Sequence, residues 1–244
     1  MNLIVDIGNS RIKVVVMNSG GIVEEYASAV VDVAWVLSIV EEHSHISRAI
    51  VASTGGHGED VAEALRAVVD YVLLFEPART PVPIGNAYGT PQTLGADRLA
   101  AAVGGVELFP GSDLMIVDFG TAITIDYVVD GVFVGGNISP GMTTRFRALA
   151  DYTAKLPLCS ATDSELPYGT TTIEAIEQGV MQGITNEVEG YIGSFSEKKT
   201  KKCTIFTGGD AKYFVKRIKN TIFADCEPVL VGLNRILNYN AEKK

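Results

Sequence analysis

The sequence predicts an α/β protein in two domains, each built on a mixed sheet, and three observations carry that expectation. Leu3-Ile4-Val5-Asp6-Ile7-Gly8-Asn9-Ser10 lines up without a gap against Met115-Ile116-Val117-Asp118-Phe119-Gly120-Thr121-Ala122. Each copy is an apolar run, an acid, one apolar residue and a glycine, which reads as a buried strand and a tight turn into a second antiparallel strand. Each copy also opens a three-strand meander followed by helices and strands in alternation, the pattern of a layered α/β fold. The third observation is composition: 244 residues, 47% hydrophobic and 20% charged, can bury a sizeable core, and the repeat divides them into residues 1–112 and 113–244.

The first meander is expected at residues 3–7, 11–18 and 22–28, turned by Gly8-Asn9 and Gly20-Gly21. Asp32 is a suitable N-cap for a helix whose Val33, Val36, Leu37 and Val40 fall at helical spacing. A strand at 46–52, a helix at 58–68 and a strand at 71–75 follow. His43 and His45 stand two apart near a helix end, an incomplete metal site that reads as surface. Residues 76–94 form the one long loop, carrying Pro77, Pro81, Pro83, Gly85, Gly89 and Pro91. A loop of that length inside a compact domain usually contributes to binding. It holds Tyr88 and leads into Gly95-Ala96-Asp97-Arg98 and the helical Leu99-Ala100-Ala101-Ala102-Val103. Alone, Asp97 reads as a helix cap; its place after that loop, beside an arginine, also admits a catalytic role.

The second meander is expected at 114–119, 122–129 and 132–138, with Asp130-Gly131 as hairpin turn. Gly135-Gly136-Asn137-Ile138-Ser139-Pro140-Gly141 lets backbone run close to a ligand, and Pro140 suits a helix start. Residues 172–195 form the longest helix. Ile173, Ile176, Val180, Ile184, Val188, Tyr191 and Phe195 make its apolar stripe, and Gly179, Gly183, Gly190 and Gly193 suit close packing, in the core or at a subunit contact. A strand at 203–207 ends in Gly208-Gly209-Asp210-Ala211 and opens a helix at 212–218, an arrangement that suits a nucleotide. Pro228 starts the last helix.

A formal charge of −9 argues against a nucleic-acid surface, and the one basic run, 197–202, reads as a solvated loop. Cys159, Cys203 and Cys226 match neither a zinc site nor a disulfide framework, so a reducing compartment is expected. No apolar run reaches membrane-spanning length, and the start lacks a basic, apolar leader, so the expectation is a cytoplasmic protein. Neither G-x-x-x-x-G-K-[ST] nor a G-x-G-x-x-G after a strand occurs. Phosphate binding therefore falls to hairpin turns: backbone N–H groups cradle the anion while the acid holds a metal ion or its waters.

Two meanders with Asp-x-Gly turns and a late Thr-Gly-Gly turn resemble the actin, hexokinase and Hsp70 superfamily, which implies ribonuclease H-like domains. A narrower resemblance rests on five motifs in order. They are Asp6-Ile7-Gly8-Asn9-Ser10, Gly95-Ala96-Asp97-Arg98, Asp118-Phe119-Gly120-Thr121-Ala122-Ile123-Thr124, Gly135-Gly136-Asn137-Ile138-Ser139-Pro140-Gly141 and Thr207-Gly208-Gly209-Asp210. Together they resemble type III pantothenate kinases, with Ser10 where that family more often has Thr. The resemblance implies ATP-dependent phosphorylation of pantothenate. It implies Asp6 as the Mg²⁺ residue and the turn of Asp6, Ile7, Gly8, Asn9, Ser10, Arg11, Ile12 and Lys13, with Thr121, on ATP. It further implies Asp97 as the base, with Tyr88, Gly95, Ala96, Arg98 and Thr172 on pantothenate. Asp118 would hold K⁺ or NH₄⁺, and the protein would be a homodimer using neither nucleic acid nor membrane. Three alternatives stay open: a sugar or small-alcohol kinase, a non-catalytic ATP-binding transcriptional accessory factor, and an actin-like filament protein.

Overall fold

The computed structural model describes residues 1–54, 56–196, 201–218 and 226–243, so residues 197–200 of the expected basic loop lie outside it. Two compact units emerge. One comprises Met1–Pro110, Gly131–Val134 and Glu227–Lys244; the other comprises Gly111–Asp130 and Gly135–Cys226.

In the first unit β1 (Asn2–Ile7), β2 (Ile12–Asn18) and β3 (Gly21–Ser28) form the expected antiparallel meander. Then come α1 (Val33–Glu42), β4 (Arg48–Ser53), α2 (Gly58–Arg66) and β5 (Tyr71–Leu74). The strands are ordered β3-β2-β1-β4-β5, with β4 and β5 parallel to β1. Leu3, Val5, Val14, Val16 and Val51 are fully buried on this sheet, and Val61 and Leu65 of α2 close over it. Asp32 caps α1 as expected: its Oδ1 accepts the Ala34 N–H at 2.9 Å. The loop at 76–94 contains only β6 (Gly85–Asn86) and a single 3-10 turn, Pro91–Thr93, before α3 (Ala96–Leu108). His45 is exposed as expected, whereas His43 is half-buried: its side chain is 13% exposed, and Nε2 meets the Tyr26 hydroxyl at 2.9 Å and Glu24 Oε2 at 3.3 Å.

The second unit repeats the plan with β7 (Asp113–Phe119), β8 (Ala122–Val129) and β9 (Val132–Pro140), whose first residues belong to the first unit. Asp130 and Gly131 both take positive φ, 51° and 72°, as the two-residue hairpin requires. Pro140 ends β9 rather than starting a helix. Gly141 is the N-cap, and α4 (Met142–Asp151) begins after it. Then follow α5 (Thr172–Ser196), β10 (Lys202–Thr207) and the short α6 (Ala211–Val215); β10 lies parallel to β7. Phe119 stacks on Phe214 with centroids 4.8 Å apart and meets Phe206 edge-on at 4.9 Å, with Val180, Ile184 and Val188 of α5 in the same core.

The last helix, α7 (Pro228–Ala241), returns to the first unit and packs on α3. Two glycines permit the crossing. A Cβ on Gly104 would lie 1.8 Å from the Pro228 carbonyl oxygen, and one on Gly232 would lie 1.8 Å from that of Ala100. Within this unit the start of β9 runs parallel to β6, pairing Val132 with Gly85 and Phe133 with Asn86. No helix among the described residues is long and apolar enough to cross a membrane, and no disulfide links the three cysteines.

Candidate active site

In the first unit, chain order is undone so that acids from three elements meet. Asp6, the last residue but one of β1, stands directly across the ladder from Lys13 on β2. Lys13 Nζ donates to both carboxylate oxygens of Glu227, at 3.1 and 3.0 Å, and lies 3.6 Å from Glu25. Burial pushes the Asp6 carboxyl up from 3.8 to about 6. The charge of Asp97 adds to that, Lys13 opposes it, and Glu227 adds a little more. Asp6, Glu25 and Glu227 thus share one ammonium, while Asp97 has the Arg98 charge beside it. Such a site is short of positive charge, and its oxygen donors suit a hard divalent cation.

Between Asp6 and β2 the chain makes the tight turn that the motif demands, with Gly8 N–H donating to the Arg11 carbonyl at 3.0 Å. A cavity of about 220 Å³ opens there, lined by Gly8, Asn9, Arg11 and Ile12 with Gly56 and His57 opposite.

Asp97 lies in the first turn of α3, and its Oδ1 accepts the Arg98 N–H at 2.8 Å. Glycine before it leaves that oxygen in place, since a Cβ on Gly95 would sit 2.4 Å from it and displace the carboxylate. Burial raises the Asp97 carboxyl, while the hydrogen bond from Arg98 and the arginine's charge hold it back. Arg98 is 6% exposed, and its guanidinium lies over the Tyr88 ring at 5.5 Å and the Phe133 ring at 5.9 Å. Tyr88 is set by its own N–H donating to Asn86 Oδ1 at 3.0 Å. A second cavity, about 480 Å³, borders this site, with Ser53, Thr54, Arg79, Gln92, Gly95 and Ala96 in its wall. Asp6, residues 8–13, Tyr88 and residues 95–98 are thus brought together in one unit. Phe133 and Glu227 join them without a sequence signal.

The second unit holds Asp118, Thr121 and Thr172. Asp118, the last residue but one of β7, stands opposite Thr207 of β10, and the turn after β10 folds onto it: a Cβ on Gly208 (φ 93°) would lie 2.4 Å from Asp118 Oδ1. The Thr121 carbonyl accepts from Gly141 N–H at 3.0 Å and from Thr144 Oγ1 at 2.7 Å, which ties the β7–β8 turn to the start of α4. Glu174 Oε2 accepts from the N–H and hydroxyl of Thr170, both at 2.8 Å, and from Thr171 N–H at 3.0 Å. That cap engages two of the three adjacent threonines and leaves Thr172 as the first residue of α5.

Comparison with known proteins identifies the family to which this chain belongs. A family model described as type III pantothenate kinase matches residues 2–194. Type III pantothenate kinases from Phocaeicola vulgatus and Porphyromonas gingivalis are each 40% identical to this chain. The matches cover 98% of this chain and 99% and 98% of theirs. Among solved structures, a Campylobacter jejuni protein described as a conserved Baf family transcriptional activator is similar at 21% identity and TM-score 0.65, covering 98% of this chain and 99% of that one. The activator of the 2-hydroxyisocaproyl-CoA dehydratase from Clostridium difficile, with bound ADPNP, is similar at 14% identity and TM-score 0.57, covering 99% and 94%. These two likenesses concern the fold.

Proposed function

We propose, because the chain belongs to the type III pantothenate kinase family, that it transfers the γ-phosphoryl group of ATP to the primary hydroxyl of pantothenate, the first step toward coenzyme A. The observation that carries this reading is geometric: Asp6 stands at the turn closed by the Gly8 N–H to Arg11 carbonyl bond, and Asp97 in the same unit is hydrogen-bonded to the buried Arg98. That arrangement sets one carboxylate at a phosphate-sized turn and another at a buried arginine.

Phosphoryl transfer asks a protein for positioning and charge neutralisation more than for covalent chemistry. The turn from Gly8 to Lys13 receives the ATP phosphates on backbone N–H groups and on the Lys13 ammonium, and Thr121 is assigned to the same nucleotide. Asp6 would be the Mg²⁺ residue, and the sharing of the single Lys13 ammonium by Asp6, Glu25 and Glu227 supports that fit. Held by Asp6, Mg²⁺ would supply neutralisation of the charge on the phosphates. Asp97 acts as the base. With Oδ1 held by the Arg98 N–H, Oδ2 takes the hydroxyl proton, and the raised carboxyl is better matched to that task than an ordinary aspartate. Arg98, with Tyr88 and the Gly95-Ala96 backbone, holds pantothenate, and Thr172 is the substrate threonine of the second unit. Asp118, whose carboxylate stands beside the β7–β8 turn opposite Thr207, would hold K⁺ or NH₄⁺.

We further propose a cytoplasmic homodimer that engages neither nucleic acid nor membrane. Its subunit contact is the face of α5 that carries Gly179, Gly190 and Gly193, where an added Cβ meets nothing within 4 Å. A coupled ADP-release assay tests the activity. Release should depend on pantothenate together with K⁺ or NH₄⁺. Release stimulated by a hexose and untouched by pantothenate would make the protein a sugar kinase instead.

A further inference from the structure

We infer that Phe133 is a positioning residue for acceptor binding: it forms one wall of an aromatic slot, with Tyr88, that fixes the guanidinium of Arg98. The inference rests on the assignment of Arg98 to pantothenate and adds to it a residue from outside every motif of the site. Phe133 is fully buried, so its ring has one location. The two rings lie 5.9 Å apart at 42°, and each is within 6 Å of the Arg98 guanidinium carbon. At that distance the negative ring faces attract a cation, and a flat guanidinium among rings loses its freedom to rotate.

The slot is built from two stretches remote in sequence. The Phe133 carbonyl accepts the Ala87 N–H at 2.9 Å, and the Gly131 carbonyl accepts the Gly85 N–H at 3.0 Å. These bonds fasten the start of β9 beside β6, so the backbone that carries Phe133 also fixes the segment that carries Tyr88. A long arginine side chain otherwise samples many rotamers, and ordering them at each binding event weakens affinity. A slot formed in advance removes that loss for the acceptor and leaves ATP, held at the Gly8–Lys13 turn, unaffected.

The test is steady-state kinetics on the full-length protein. Phe133→Leu should raise KM for pantothenate about 3- to 30-fold, the range of a lost cation–π contact, with KM for ATP within about twofold, a change too small to count as a lost contact. A double-mutant cycle separates positioning from general damage. In an Arg98→Ala background, Phe133→Leu should add nothing to the pantothenate KM. If Phe133→Leu does not fold, Phe133→Met keeps most of the volume while removing the ring, and the same criteria apply. An unchanged pantothenate KM, equal rises for both substrates, or full additivity with Arg98→Ala would overturn the inference. Failure of the underlying assignment looks different, since Arg98→Ala alone would then leave the pantothenate KM unchanged.

Discussion

Asp97 meets two demands at once, as the acceptor of a helix N–H and as the proposed base, and one substitution separates them. In Asp97→Asn the amide oxygen still accepts the Arg98 N–H, so stability should change by only a few tenths of a kcal/mol. The amide cannot take a hydroxyl proton, so kcat should fall roughly 10²–10⁴-fold. Turnover within about threefold of the unmodified enzyme, well short of that range, would leave only the structural role. Asp6 makes the second prediction. Its folded carboxyl titrates near 6 against an ordinary 3.8, so the folded state favours the proton. The associated stability is complete below 3.8 and is lost as pH rises through 6, a cost of about 1–3 kcal/mol once solvent screening is allowed for. Asp6→Asn should therefore raise Tm more at pH 7.5 than at pH 5, while abolishing turnover at ordinary Mg²⁺. Equal Tm shifts at both pH values would contradict the burial argument. Both aspartates were legible from sequence because turn glycines announce them. Phe133 was not, since an aromatic residue in a strand reads as core, and Glu227 was not, since nothing local ties it to Lys13.

Elements with a strong period or a clear turn were found within a residue or two; for α4 only a start at Pro140 was expected, two residues early, and its span was not. Residues 142–151 bury only Met142 and Phe146, too few to show a helical stripe, and Pro140 drew attention to the wrong starting point. The crossing of α3 with α7 was equally silent. Alanine-rich α3 shows no seam in sequence, and the glycines that make one are visible only when the helices are side by side. That crossing gives the third prediction. Gly104→Ala drives a methyl into the Pro228 carbonyl and should cost about 3 kcal/mol, the upper part of the range for overpacking, measured by urea denaturation. A cost below 1 kcal/mol, the lower edge of that range, would mean that the helices separate easily.

The duplication was readable from end to end because both copies keep the same acid and glycine at a strand end. The return of α7 to the first unit was not readable, because a repeat places a final helix with the half it follows. Assembly supplies the fourth prediction. Gly183 meets only Arg145 Nη1, at 3.9 Å, so Gly183→Leu has room within a single chain. Light scattering should find a dimer for the unmodified protein and a weakened one for Gly183→Leu, with helix content preserved. A monomeric unmodified protein would remove α5 as an interface.

The late arrival of α7 bears on how the protein is born. The groove on α3 that receives this helix is complete soon after Pro110 leaves the ribosome, but its occupant starts at Pro228. At typical synthesis speeds the gap is on the order of ten seconds. Through that interval the nascent first unit exposes the apolar seam around Ala100 and Gly104, and it needs shelter until translation delivers the last helix.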